Sequence, residues 1–174
     1  MIIKWPGGKK WLPIKYNALL PNKYNTYLEP FMGSGAMYFG LEPRKALLSD
    51  INPRLINLFS QLRDNPEYLY DKTNELISTH SEKQYYEIRD KFNTLEPSAA
   101  NFLYLNRTCF NGVYRENKKG EFNVPVGKRN SSFFPFNFEE FKVFSDALQN
   151  AELSCEDCFS ALEKASEGDF IYID

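Results

Sequence analysis

The segment Tyr27-Leu28-Glu29-Pro30-Phe31-Met32-Gly33-Ser34-Gly35-Ala36 has a pattern with a chemical use. A short apolar run ends on an acid, and a glycine turn follows that reads as the opening of a helix. Glycines let the backbone approach a small charged ligand, and the first N–H groups of a helix would face it. Asp50 ends the next apolar run, Ala46 to Ser49. An acid about 20 residues past such a turn, at the tip of the following strand, is placed to hold ribose hydroxyls. The dinucleotide fingerprint is not met, because its third glycine would fall on Tyr38 and Glu29 would repel a pyrophosphate. The residues point instead to an adenosine-bearing cofactor without phosphates, S-adenosylmethionine (SAM). Two glycines at a strand–turn–helix joint also have a purely backbone explanation, so the surrounding segments decide.

Lys4-Trp5-Pro6-Gly7-Gly8-Lys9 sets a cation, a large ring, a tight turn and a second cation ahead of the first strand. It lacks the spacing and the Ser/Thr of a phosphate-binding P-loop, which argues against a nucleotide triphosphatase. Taken together, Lys-Trp-x-Gly-Gly-Lys, Glu-Pro-Phe-x-Gly-x-Gly and Ser-Asp-x-Asn (Ser49 to Asn52) resemble the Dam-type DNA adenine-N6 methyltransferases. Their order in that family is cofactor region, target-recognition region, catalytic region. The resemblance implies an α/β fold with a Rossmann-like SAM-dependent methyltransferase sheet, incomplete here. Residues 1–56 and 150–174 would form that core. Residues 57–149 would be an inserted target-recognition region, helical with a β-hairpin near 108–129. Trp5, Lys9, Glu29, Phe31, Gly33, Asp50 and Asp174 would surround the cofactor.

Composition sets outer bounds. A chain of 174 residues with 43% hydrophobic and 16% aromatic content can bury a core and is not disordered. No apolar run approaches the roughly 20 residues of a membrane span and no signal peptide opens the chain, so the expectation is a cytoplasmic protein with no membrane partner. The net charge of −2 hides an uneven distribution. Residues 1–28 contain lysines and no acid, while Arg107, Arg115, Lys118, Lys119, Lys128 and Arg129 face only Glu116 and Glu121 over 107–129. Local basic patches matter more to a polyanion than the total charge. Cys155 and Cys158 form a lone C-x-x-C without a second ligand pair or a thioredoxin-like context, and read as small half-buried residues at a strand end. With His80 as the one histidine, no metal site is expected, and Ser-His-Asp chemistry is excluded.

The remaining elements follow from spacing. Asn52-Pro53 reads as N-cap and first residue of a helix through Leu55, Ile56, Leu58, Phe59 and Leu62. Ser81 with Gln84 caps a helix ending near Phe92, Pro97 opens another, and Asn137 with Glu140 caps Phe138 to Leu148. Strands are expected near Glu152 to Cys155 and over Asp169 to Ile173. Asn117-Lys118-Lys119-Gly120 is a turn joining Val113/Tyr114 to Phe122/Val124 in a hairpin with a basic tip. Leu105-Asn106-Arg107, Phe110-Asn111-Gly112 and Gly120 to Pro125 resemble the family's target-recognition hairpin. That likeness makes Arg115 a guanine reader, since a guanidinium can donate twice to O6 and N7. Asn111, Asn117, Lys118 and Arg129 become flanking or backbone contacts on double-stranded DNA, with Lys4 reaching in from the other side. A GATC-like target is what the likeness suggests.

Phe170-Ile171-Tyr172-Ile173-Asp174 matches the strand and first residue of the Asp-Pro-Pro-Tyr-type turn that amino-methyltransferases use. The exocyclic amine of adenine is a poor nucleophile because its lone pair is delocalised into the ring. A carboxylate that accepts one of its hydrogens, here Asp174 as catalytic residue, holds the nitrogen nearer sp³ geometry. The two prolines and the ring of that turn are not in this sequence. The expectation is therefore an adenine-specific enzyme that needs a further C-terminal segment for activity. The alternative is a catalytically dead or split DNA-binding fragment, and a cognate restriction endonuclease is a possible partner.

Overall fold

In the computed structural model, residues 1–9, 11–94, 98–128 and 135–174 are described. Two apolar runs become the strands β1 (Tyr27–Glu29) and β2 (Ala46–Asp50), paired in parallel with Tyr27 opposite Ala46 and Glu29 opposite Leu48. β3 (Ala151–Cys155) adds to the free side of β2 and β4 (Phe170–Ile171) to the free side of β1, both parallel. The sheet order is thus β3-β2-β1-β4. Chain order reverses at β1, and in open parallel sheets such a reversal leaves a crevice at the carboxyl ends of the strands. Glu29, Asp50 and Asp174 all lie at or just past those ends. The strand expected over Asp169 to Ile173 is shorter, although the Tyr172 N–H still donates to the Leu28 carbonyl at 2.9 Å.

The helices are α1 (Leu12–Lys15), α2 (Tyr38–Leu41), α3 (Pro53–Asp64), α4 (Pro66–Ser78), α5 (Glu82–Thr94), α6 (Ala99–Thr108), α7 (Phe138–Leu148) and α8 (Cys158–Leu162). In α3 the Asn52 side chain accepts the N–H groups of Arg54 and Leu55, and Pro53 takes the first position where no donor is needed. Leu55, Ile56, Leu58, Phe59 and Leu62 recur on one face, and all are buried against the sheet and the other helices. Pro66 ends that run and starts α4, because the residue before a proline is pushed out of helical conformation. α6 is buried almost all round and packs against α3, α4 and α5. No helix among the described residues is long and apolar enough to cross a membrane.

Three expectations change. The helix expected to open on the glycine turn begins later, at Tyr38, because Gly33 and Gly35 adopt φ of +50° and +65°, outside the right-handed helical range. The hairpin forms no continuous strands over its described part; isolated antiparallel bridges join Cys109 to Val126 and Glu116 to Phe122. Hydrogen bonds run from the Asn117 N–H to the Glu121 carbonyl and from the Asn123 N–H to the Arg115 carbonyl, so the Phe122 and Val124 backbone groups face away from the paired segment, toward α5. Asn93 accepts from the Phe122 N–H (2.9 Å) and donates to its carbonyl (3.0 Å), and the Tyr85 hydroxyl donates to the Val124 carbonyl (2.8 Å). Side chains of α5 thus satisfy the outward-facing backbone groups of this segment. Cys155 is exposed and Cys158 half-buried, both as free thiols. Pro97 and Arg129 lie outside the described residues.

Candidate functional site

Strand alternation puts Tyr27 and Glu29 on the same side of β1. Both are buried, and the Tyr27 hydroxyl donates to Glu29 Oε2 at 2.7 Å. Burial pushes the Glu29 carboxyl up to about 8, although the Tyr27 hydroxyl and the Tyr38 backbone N–H pull the other way; the charge of Asp174 adds to the rise. Glu29 therefore enters neutral water protonated, held in an apolar wall. Burial drives the Tyr27 phenol far above its ordinary range as well, so it acts as a donor only.

Asp50 is half-buried, and each of its oxygens accepts a backbone N–H, from Gly33 at 3.0 Å and from Asn52 at 2.9 Å. Its carboxylate is fixed in direction while lone pairs remain for a ligand, since a carboxylate has about four acceptor sites. The glycines are set by space as well as by φ. A Cβ on Gly33 would stand 3.0 Å from the Trp5 indole, and one on Gly35 would stand 2.8 Å from the Phe39 ring. Lys9 closes the far side, with Nζ 2.7 Å from Asp174 Oδ2 and 3.0 Å from the Gly7 carbonyl.

Trp5, Lys9, Glu29, Phe31, Gly33, Asp50 and Asp174 all line one cavity of about 430 Å³. The same cavity is lined by Gly8, Met32, Ser34, Met37 and Tyr172, which sequence reasoning did not single out. The alternation that pairs Tyr27 with Glu29 would have flagged Tyr27, and Tyr172 stands two residues before Asp174 for the same reason. Lys4 and Asn111 meet Trp5, Gly8 and Ser34 around an adjoining cavity of about 420 Å³. A cavity of about 500 Å³ between α3, α4 and the start of α6 contains none of these residues.

Arg115, Asn117 and Lys118 stand apart from the cavity on an exposed loop. Arg115 Nε donates to Asn123 Oδ1 at 2.9 Å, which orients the guanidinium. Asn117 is occupied within the turn: its oxygen accepts the Lys119 and Glu121 N–H groups and its nitrogen donates to Glu121. Asn111 has φ of +56°, which asparagine tolerates better than most side chains. Sequence reasoning missed the part that Asn106 plays. This buried side chain accepts from the Lys4 N–H (2.9 Å) and donates to the carbonyls of Lys4 (2.8 Å) and Gly112 (3.3 Å), clamping the first segment to the loop. No group of side chains suited to a metal ion occurs among the described residues.

A family model described as "D12 class N6 adenine-specific DNA methyltransferase" matches residues 5–174. The chain is 37% identical over 181 residues to "Type II methyltransferase M1.LlaDCHI" of Lactococcus lactis subsp. cremoris, covering 98% of this chain and 63% of that protein. It is 37% identical over 178 residues to the "DNA adenine methylase" of Haemophilus influenzae, covering 99% of this chain and 62% of that protein. For "Type II methyltransferase M.MjaIII" of Methanocaldococcus jannaschii the identity is 34% over 194 residues, 99% of this chain and 67% of that protein. The chain thus spans about 62–63% of the length of the first two relatives.

Proposed function

Because the chain belongs to the D12 class of N6 adenine-specific DNA methyltransferases, we propose that it takes part in methyl transfer from SAM to N6 of adenine in duplex DNA. The observation that carries this reading is the convergence of Glu29, Asp50 and Asp174 on one cavity at the carboxyl ends of adjacent parallel strands. We read the sheet as the Rossmann-like half of such an enzyme, with residues 57–149 as the inserted target-recognition region.

The donor set suits a cationic adenosine ligand. The carboxylates of Asp50 and Asp174 disfavour phosphate, and a buried Glu29 that is neutral when alone becomes a strong partner for a cation. The free lone pairs of Asp50 hold ribose hydroxyls, and Gly33 leaves space for close backbone approach. Bound SAM supplies a sulfonium methyl group open to nucleophilic attack. Lys9 keeps Asp174 oriented through their ion pair. Asp174 accepts a hydrogen of the adenine amine and turns the nitrogen lone pair toward the methyl group. Reaching that amine requires the base to leave the stack. Arg115 reads a guanine, and Lys4, Asn111, Lys118 and Arg129 hold the flanking backbone. A soluble, cytoplasmic location follows from the substrate.

Calorimetric titration with SAM, followed by radiolabelled methyl transfer to duplex DNA and identification of N6-methyladenine, tests the reading. Weaker SAM binding on Asp50→Ala is expected. Absence of SAM binding to the intact chain would overturn it.

A further inference from the structure

A closed ring of contacts joins the candidate cofactor cavity to the loop that presents Arg115. Gly33 N–H donates to Asp50 Oδ2 and Asn52 N–H to Asp50 Oδ1, at 3.0 and 2.9 Å. Asn52 Oδ1 accepts the Arg54 N–H at 3.0 Å, and Arg54 Nη1 reaches Glu116 Oε1 at 3.2 Å. The Tyr114 hydroxyl donates to that same Glu116 oxygen. The Tyr114 ring then stacks on Trp5, with centroids 5.1 Å apart and planes at 24°. The Trp5 indole returns to Gly33, 3.0 Å from where a Cβ would stand.

Tyr114 is the hinge of this ring. Its ring packs against both Trp5 and Phe102, the latter at 5.2 Å and 16°, those two rings also meeting at 6.4 Å, while its hydroxyl faces the Arg54–Glu116 pair. Tyr114 and Glu116 are the two chain neighbours of Arg115. One cross-strand backbone bond, from the Asn123 N–H to the Arg115 carbonyl (3.2 Å), holds Arg115 from one side, and the side-chain contacts of Tyr114 and Glu116 hold its two neighbours.

On the reading that the cavity holds SAM and the loop meets duplex DNA, we propose that Tyr114 is a positioning residue that couples the two sites. A ligand against Trp5 and Asp50 favours the closed ring, and the closed ring holds Arg115 where it meets the base edge. Whichever ligand binds first then bears the ordering cost for the other, which is positive coupling.

The test is an anisotropy titration of a labelled GATC duplex with and without saturating sinefungin, an unreactive SAM analogue. The proteins are wild type, Tyr114→Leu, Tyr114→Phe and the surface change Glu116→Gln. In wild type, sinefungin should tighten duplex binding about fivefold or more. Tyr114→Leu should cut that factor to about twofold or less although each ligand still binds alone. Tyr114→Phe, which keeps the ring but loses the hydroxyl, and Glu116→Gln, which removes only the charge facing Arg54, should each retain an intermediate factor. Independent binding in wild type, or an unchanged factor in both Tyr114→Leu and Glu116→Gln, would overturn the proposal. Failure of wild type to bind either ligand would overturn the functional reading, and this link with it.

Discussion

Glu29 makes the stability of the empty protein depend on pH in a direction opposite to that of most carboxylates. Its folded-state value is raised from 4.5 to about 8, chiefly by burial. Between those values the unfolded chain has released the proton and the folded chain still holds it. The unfolded state then binds fewer protons, so stability falls as pH rises through this window and levels off above it. The slope for one group is about 1.4 kcal/mol per pH unit, which gives a loss of about 2–3 kcal/mol between about pH 5.5 and pH 7.5. Asp64, Glu156 and Asp157 are held below their usual range and titrate under this window, and the Cys109 thiol, raised to about 11, titrates above it. Urea denaturation at several pH values, on wild type and Glu29→Gln, isolates the effect. Glutamine keeps an acceptor for the Tyr27 hydroxyl but has no proton to lose, so its profile should be flatter and it should be the more stable protein at pH 7.5. A cationic ligand reverses the cost by favouring the ionised acid, so SAM affinity should rise with pH toward about 8 in wild type only. Parallel stability profiles for the two proteins would refute the reasoning.

Asp50→Ala should weaken SAM binding by about 1.5–3 kcal/mol by calorimetry, the range for hydrogen bonds to a charged group, and equal affinities would remove Asp50 from the site. Arg115→Ala should cost about 1–3 kcal/mol on the preferred duplex and relax the preference at one guanine. Lys118→Ala should weaken all duplexes alike and reduce the salt slope by about 1 in binding titrations at varied salt. Asn106→Leu leaves the Lys4 and Gly112 backbone groups unpaired in a buried place, and should lower the unfolding free energy by about 2–4 kcal/mol in denaturant.

Much of this was written locally. Asn52-Pro53 and the apolar face from Leu55 to Leu62 placed α3, and the acid-ending runs placed β1 and β2, because capping and periodicity act over a few residues. Glu29, Asp50 and Asp174 meet in one cavity because strand ends of a parallel sheet lie side by side, and the first segment and the glycine turn bring the other four candidates to it. What was not legible depends on contacts distant in sequence. Nothing near Asn106 announces that it clamps Lys4, 102 residues away. The Trp5–Tyr114 stack is equally silent in sequence, and the outer backbone of the hairpin is bonded by Asn93 and Tyr85 of a helix whose approach no local pattern encodes. Glu29 was readable as an acid ending an apolar run, but its proton depends on burial beside Tyr27, which only the fold creates.

The pairing of Lys9 with Asp174 spans 165 residues, and that of the Thr26 N–H with Asp169 spans 143. Contacts of this separation are slow to form, whereas α3 to α6 can assemble from near neighbours. On a ribosome adding about 5–20 residues per second, Lys9 waits roughly 8–30 s before its partner exists. A nascent chain thus displays Glu29 and Asp50 well before the third acid arrives. Translation itself becomes the clock that decides when Asp174 joins the other two acids.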